Sequence, residues 1–248
     1  MNSLYQLTIA ELKLCLRDKT NSFFSLIVPA AMYIFFGTMY KNASYGPEGL
    51  SYFDSYTPAM IAVIILISSL FSLCLPFVQL KEGGVFKRFL ATPLPAYVLV
   101  TSSLIKGVVL VTIGVIEMFI VGYFLFDRQP TSYFVQFSLA FLISSLAFFA
   151  FAFLIAAFFK KMQAALAFNF VLFYPMMFMS GATFPLENLP QSMQDASHFI
   201  PLTYVVQALQ LGWNGQLFSS AGLTALLTIS LMGLVSALLA SKYFKWMD

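Results

Sequence analysis

The chain has 248 residues, of which 60% are hydrophobic and only 9% charged, with a formal net charge of +3. A soluble domain carries about 25% charged residues to face water; that shortfall and a mean hydropathy of +0.86 exclude a water-soluble globule and place the chain in lipid. Its basic residues are scattered between apolar runs instead of gathered on one face, which argues against a nucleic-acid partner.

Residues 1–20 read as an amphipathic helix lying in the headgroup layer. Tyr5, Ile9, Leu12 and Leu16 share one face at helical spacing, Lys13 and Arg17 flank it, and Glu11 and Asp18 lie on another side. Leu7 and Leu14 interrupt the pattern, and a plain cytoplasmic lead-in is the alternative. A membrane-crossing helix needs about 20 mostly apolar residues. The first such stretch is Ser22–Tyr40; its apolar run exceeds that of a signal peptide and no small-residue cleavage site follows, so a helix of the mature protein is expected. The second is Pro58–Leu80. Cys15 and Cys74 fall outside any metal-ligand or CxxC spacing and read as packing residues.

The connection at 81–95 begins Lys81-Glu82-Gly83-Gly84-Val85-Phe86-Lys87-Arg88 and ends on Pro93 and Pro95. It reads as a compact helix-turn unit in which Phe86, Phe89 and Leu90 offer an apolar face and Lys87 and Arg88 suit carboxylates on a partner. A basic loop that only fixes orientation is the other reading. The third span, Ser103–Phe126, has Lys106 near one end, where its amine can snorkel, and Glu117 well inside. A carboxylate there costs about 2.5–3.5 kcal/mol on insertion scales. It either lines a substrate path, with Asn169 as a polar companion, or is a protonated structural residue bonded to Ser, Thr or Asn169 of a neighbouring span.

The fourth and fifth spans are Tyr133–Phe159 and Ala164–Ser180, and the sixth is Ala221–Ala240. Between the last two, 181–220 has no Lys or Arg and is broken by Pro185, Pro190 and Pro201. It is too short for two spans, so a half-helix dipping into the membrane or resting at its outer surface is expected. Tyr40, Tyr56, Trp213, Tyr243 and Trp246 read as interface anchors. The expected fold class is therefore all-α integral membrane, a single permease domain with six transmembrane helices over 22–240. Of the 13 basic residues only Lys41 and Arg128 fall on the side opposite the others, so the positive-inside rule puts both termini in the cytoplasm.

The sequence has no GxxxxGK[ST] phosphate loop, no HExxH, no GxSxG and no CxxC, and a single histidine, His198. No catalytic residue and no metal or cofactor site is expected. Transport is the default for such a bundle, and one intramembrane carboxylate is thin equipment for ion coupling, so an external motor fits better. An ion-coupled transporter and a non-transporting assembly subunit remain the alternatives.

Lys81-Glu82-x-Gly84, then Lys87-Arg88-Phe89-Leu90 and Thr92-Pro93, resembles the cytoplasmic signature of ABC-2 type transporter permeases, with Val85 in place of the usual threonine and Lys81 in place of arginine. Pro175, Ser180-Gly181, Phe184-Pro185-Leu186, Leu189-Pro190 and Pro201-Leu202-Thr203-Tyr204 are similar to the family's stretch after the fifth span, and Leu16-Arg17-Asp18 to its start. The resemblance implies a six-span permease working as a dimer, with a second copy or a paralogue, in a bacterial plasma membrane. ABC ATPase subunits would be its partners and would hold the ATP and Mg. It further implies that the loop with Lys81, Glu82, Gly83, Gly84, Phe86, Lys87 and Arg88 is the element that couples to the ATPase. The N-terminal helix with Arg17 would touch the same partner, and 181–220 would form short re-entrant helices. Relatives with this architecture export drugs, antibiotics and lipids, so a hydrophobic or amphipathic cargo is implied.

Overall fold

The computed structural model describes residues 2–17, 27–39, 44–45, 50–86 and 96–243. Of the expected functional residues, Lys87 and Arg88 lie outside these, as do the rest of the 87–95 connection and the first part of the first expected span. The described chain is helical apart from a two-residue antiparallel ladder, β1 (Ser44–Tyr45) with β2 (Leu50–Ser51). Its elements are α1 (Asn2–Arg17), α2 (Val28–Met39), α3 (Phe53–Glu82), α4 (Ala96–Phe126), α5 (Phe134–Phe158), α6 (Met162–Met179), α7 (Gln191–Ser197), α8 (Pro201–Trp213) and α9 (Ser220–Tyr243).

Five of these, α3, α4, α5, α6 and α9, are long and apolar enough to cross a membrane. The described part of the first expected span, α2, has 12 residues, fewer than the roughly 20 a crossing requires. The remaining five expected spans fall on the five long helices, with ends shifted by a few residues.

The bundle is built around α3. Met60, Ile61, Ala62, Val63, Ile65 and Leu66 are wholly enclosed, because α3 is surrounded by α2, α4, α5, α6 and α8. Within it Ser68–Cys74 is a π-helical stretch, followed by a proline near the start of the next α-helical segment. Pro76 has no N–H to donate to the preceding turn and its ring crowds the carbonyl one turn back, so the ladder widens before it. The Asn169 Nδ2 of α6 donates to the Leu70 carbonyl in this widened stretch at 2.6 Å.

Burial does not follow hydrophobicity here, because both sides of each helix meet apolar surroundings. On α9 the buried face is Gly222, Ala225, Leu226, Ile229, Gly233, Ser236 and Ala240, a small-residue stripe at helical spacing. A Cβ on Gly233 would stand 2.8 Å from Ala147 Cα of α5, so this crossing depends on the absent side chain. The leucines Leu227, Leu231, Leu234 and Leu238 instead point outwards and are exposed. α4 does the same: Gly114 abuts Ile64 while Ile116, Ile120 and Phe124 are exposed. Exposed apolar surface on this scale is stable only against lipid or another apolar surface.

α1 is a helix, as expected. It lies along α4, and the face it buries carries Leu7, Thr8 and Glu11, whereas Tyr5 is 69% exposed. Tyr56 and Trp213, expected as interface anchors, are also buried. Tyr56 stacks on Tyr33 with centroids 5.8 Å apart, and Trp213 meets Phe137 edge-on at 5.4 Å.

Segment 181–220 forms a 3-10 turn (Leu186–Asn188), then α7 and α8. Each helix starts directly after or on a proline, Pro190 before α7 and Pro201 opening α8, where the missing N–H costs nothing. α8 packs its Leu202, Val205, Val206 and Leu209 into the bundle.

Candidate functional site

The end of the bundle where α3 finishes gathers the sequence-predicted coupling residues. Glu82 is the last residue of α3, and Gly83 and Gly84 close it: the Gly83 N–H donates to Gln79 O at 2.9 Å and the Gly84 N–H to Lys81 O at 3.1 Å. Gly84 has φ of +65°, a left-handed conformation costing a residue with a Cβ about 1–2 kcal/mol. Phe86 then folds back and is buried against Phe77, which meets Phe153 of α5 edge-on.

Lys81 and Glu82 hold the corner between α5 and α6. The Lys81 Nζ donates to Ala157 O at 2.8 Å, in the last turn of α5. The Glu82 Oε2 accepts the N–H of Met162, first residue of α6, also at 2.8 Å. A cation thus meets helix-end carbonyls and an anion meets helix-start amides, the favourable sign at each, worth about 0.3–1 kcal/mol apiece. Lys160 and Lys161 occupy the connection, and Phe158 touches Tyr243 at the end of α9, centroids 5.5 Å apart. α3 is stapled to the turn joining α5 and α6.

A second polar contact at this end went unnoticed in the sequence. Glu11 of α1 pairs with Lys106 of α4 at 3.1 Å, both side chains largely enclosed. The Ser102 Oγ donates to Glu11 Oε1 at 2.8 Å, and the Ser103 Oγ to Oε2 at 3.0 Å. Lys106 does not snorkel outwards; it is buried and paired. The only hint was the cluster Ser102-Ser103-x-x-Lys106 at the start of an apolar run, a face carrying polar groups at helical spacing. Arg17, in the last turn of α1, is exposed.

Glu117 and Asn169 are not brought together. Asn169 is fully buried and bonded to Leu70 O, and no N–H or O–H reaches its Oδ1. Glu117 lies half-buried on the flank of α4, with Oε2 enclosed and unpartnered among the described residues. Among the described residues no group of three His, Cys, Asp or Glu is placed to hold a metal ion.

The far end of the bundle carries Asp54, Asp127, Glu187, Asp195 and His198, with Arg128 over the Phe53 ring at 4.9 Å. A cavity opens there beside Glu187 and His198.

Residues 2–213 match the family described as ABC-2 type transporter. The chain is 28% identical to "Putative transport permease YvfS" of Bacillus subtilis (strain 168) over 202 residues, 81% of each chain. It is 29% identical to "Putative transport permease ycf38" of Cyanophora paradoxa over 203 residues, 79% of this chain and 69% of that one.

Proposed function

The chain belongs to the ABC-2 type transporter family, and on that premise we propose that it is the permease subunit of an ATP-driven exporter energised by a separate ATPase. As a permease it is a multi-pass membrane protein and not the catalytic chain. The reading includes a six-span topology, with α2 as part of the first span, and cytoplasmic termini, the orientation resting on the basic residues. Lys13, Arg17, Lys81, Lys106, Lys160, Lys161 and Lys242 all lie towards one end of the bundle, which we assign to the cytoplasm. The functional unit pairs this chain with a second copy or a paralogue and with two ATPases in a bacterial plasma membrane, and its cargo is hydrophobic or amphipathic.

The observation that carries this reading is the staple at Lys81 and Glu82. In the mechanism we propose, an ATPase that draws on the Gly83–Pro93 connection moves the end of α3 together with the start of α6 and the end of α5. Three long helices then respond to one pull. The α1–α4 contact at Glu11 and Lys106 ties the N-terminal helix, with exposed Arg17, to a fourth.

Co-reconstitution with an ABC ATPase partner tests the proposal. Glu82→Gln keeps a hydrogen-bond acceptor and removes the charge. Both it and Arg88→Gln should insert normally yet lose most substrate-stimulated ATP hydrolysis and export. Normal export by both variants, or nucleotide turnover by the purified chain alone, would overturn it. A second reading, ion-coupled transport, draws on the unpartnered Glu117 oxygen; export from vesicles without ATP, abolished by Glu117→Gln, would favour that one.

A further inference from the structure

At the end of the bundle opposite the lysines, a cavity of about 310 Å3 lies between the first turns of α3, the turn at 180–187 and α8. That volume is within the range of small-molecule sites, about 300–1,000 Å3. Several of its polar side chains bond within the protein. The Thr183 hydroxyl donates to Met177 O, the Thr203 hydroxyl to Ser197 O, the Tyr204 hydroxyl to His198 O and the Gln210 amide to Ser55 O. Each of these four groups donates a hydrogen bond to a backbone carbonyl.

Several lining groups remain uncommitted among the described residues. The Glu187 carboxylate, the His198 ring and the Gln207 amide make no hydrogen bond or ion pair among the described residues. The lining contains no Lys or Arg, and none occurs anywhere in 181–220. A carboxylate with no Lys or Arg beside it in the lining favours a cation over an anion as guest. Ala59, Leu186 and Val206 supply apolar wall between the polar groups.

We propose that this cavity binds an amphipathic amine, its ammonium group donating to Glu187 and Gln207 and its apolar body lying along Ala59, Leu186 and Val206. As a subsite for cargo on its way out it rests on the export reading; as a binding site it needs neither ATP nor an ATPase.

The test uses the full chain in phosphatidylcholine nanodiscs without ATPase, with empty nanodiscs subtracted. Dansylcadaverine, a primary amine on a fluorescent aromatic body, is titrated against its N-acetylated, uncharged form. Saturable binding of the amine is expected, with the acetylated form about tenfold weaker for loss of a charge-assisted hydrogen bond. Glu187→Gln, at an exposed position, should weaken the amine about fivefold, as befits a partly solvated charge pair. Gln207→Phe, which fills the cavity, should abolish binding; a wild-type thermal transition shows that each variant folds, and Glu187→Gln carries the test if Gln207→Phe does not. Absence of saturable binding, equal affinity for both forms, or undiminished binding by Glu187→Gln overturns the proposal. Uncoupled export would leave this result untouched, and failure here would leave coupled export untouched, so the two readings fail separately.

Discussion

Separating Glu11 from Lys106 should release α1 from the bundle. Their charges are 3.1 Å apart with side chains 16% and 9% exposed. At that distance and an effective dielectric of 20 the attraction is about 5 kcal/mol, before the cost of stripping water from two ions. The net worth of the pair is therefore modest, but removing one partner leaves the other charge enclosed. Glu11→Gln retains the acceptor for the Ser102 hydroxyl and Lys106→Met retains the aliphatic stem, so each isolates the lost charge. Either alone should cost about 3 kcal/mol, and the double variant no more than either single one. Because α1 is a terminal helix, the loss appears as local opening. Trypsin cleavage after Lys13 or Arg17, both exposed on α1, reads the open population. About 3 kcal/mol corresponds to a hundredfold or greater rise in cleavage rate when reclosing is fast. Single variants whose costs simply add in the double variant, or cleavage rates that do not change, would refute the argument.

Gly233→Leu should destabilise the solubilised protein by about 1–3 kcal/mol through overpacking against Ala147, while Leu231→Ala, on the exposed side of α9, should leave the thermal transition nearly unchanged; the reverse order would show that the wrong face has been assigned to the α5 contact. Asn169→Leu removes the donor to the Leu70 carbonyl and should lower stability by about 1 kcal/mol, measured by denaturation in detergent. No loss would mean that water or another donor already serves that carbonyl.

The long helices were legible because lipid imposes one demand, an unbroken apolar run of sufficient length, and α3, α4, α5, α6 and α9 all meet it. Prolines 185, 190 and 201 likewise marked the broken segment, which became a 3-10 turn and two short helices. What lies inside the bundle was harder to read. In water a helix declares its buried face by hydrophobicity, but here most leucines of α9 face out while Gly222, Ala225, Gly233, Ser236 and Ala240 face in beside Leu226 and Ile229. On α1 the inward side likewise carries polar groups, Thr8 and Glu11, beside half-buried Ile9 and Leu12, while Tyr5 is exposed. Aromatic anchors failed for a related reason: Tyr56 and Trp213 are amphipathic residues that found partners inside the fold. Of the expected coupling residues, Lys81 and Glu82 proved to serve the α5–α6 corner, a role hidden because their partners are backbone groups 76 and 80 positions away.

The two ends of the molecule meet in α3. One end of that helix holds the α5–α6 corner through Lys81 and Glu82, and the other supplies Ser55, Tyr56 and Ala59 to the cavity wall. A 30-residue helix is about 45 Å long, so a single element reaches from the connection proposed to receive work to the cavity proposed to receive cargo. Between them most of its side chains, from Met60 to Leu70, are buried, and a close-packed rod in such surroundings passes on displacement in preference to bending. The π-helical stretch at Ser68–Cys74 is the exception, and Asn169 pins it through Leu70. If α3 acts as the link, loosening that pin should let one end move without the other. Asn169→Leu would then reduce substrate-stimulated ATP hydrolysis far more than a loss of about 1 kcal/mol in stability explains. A matched destabilisation at Gly233, where α9 packs on α5, would leave that stimulation intact.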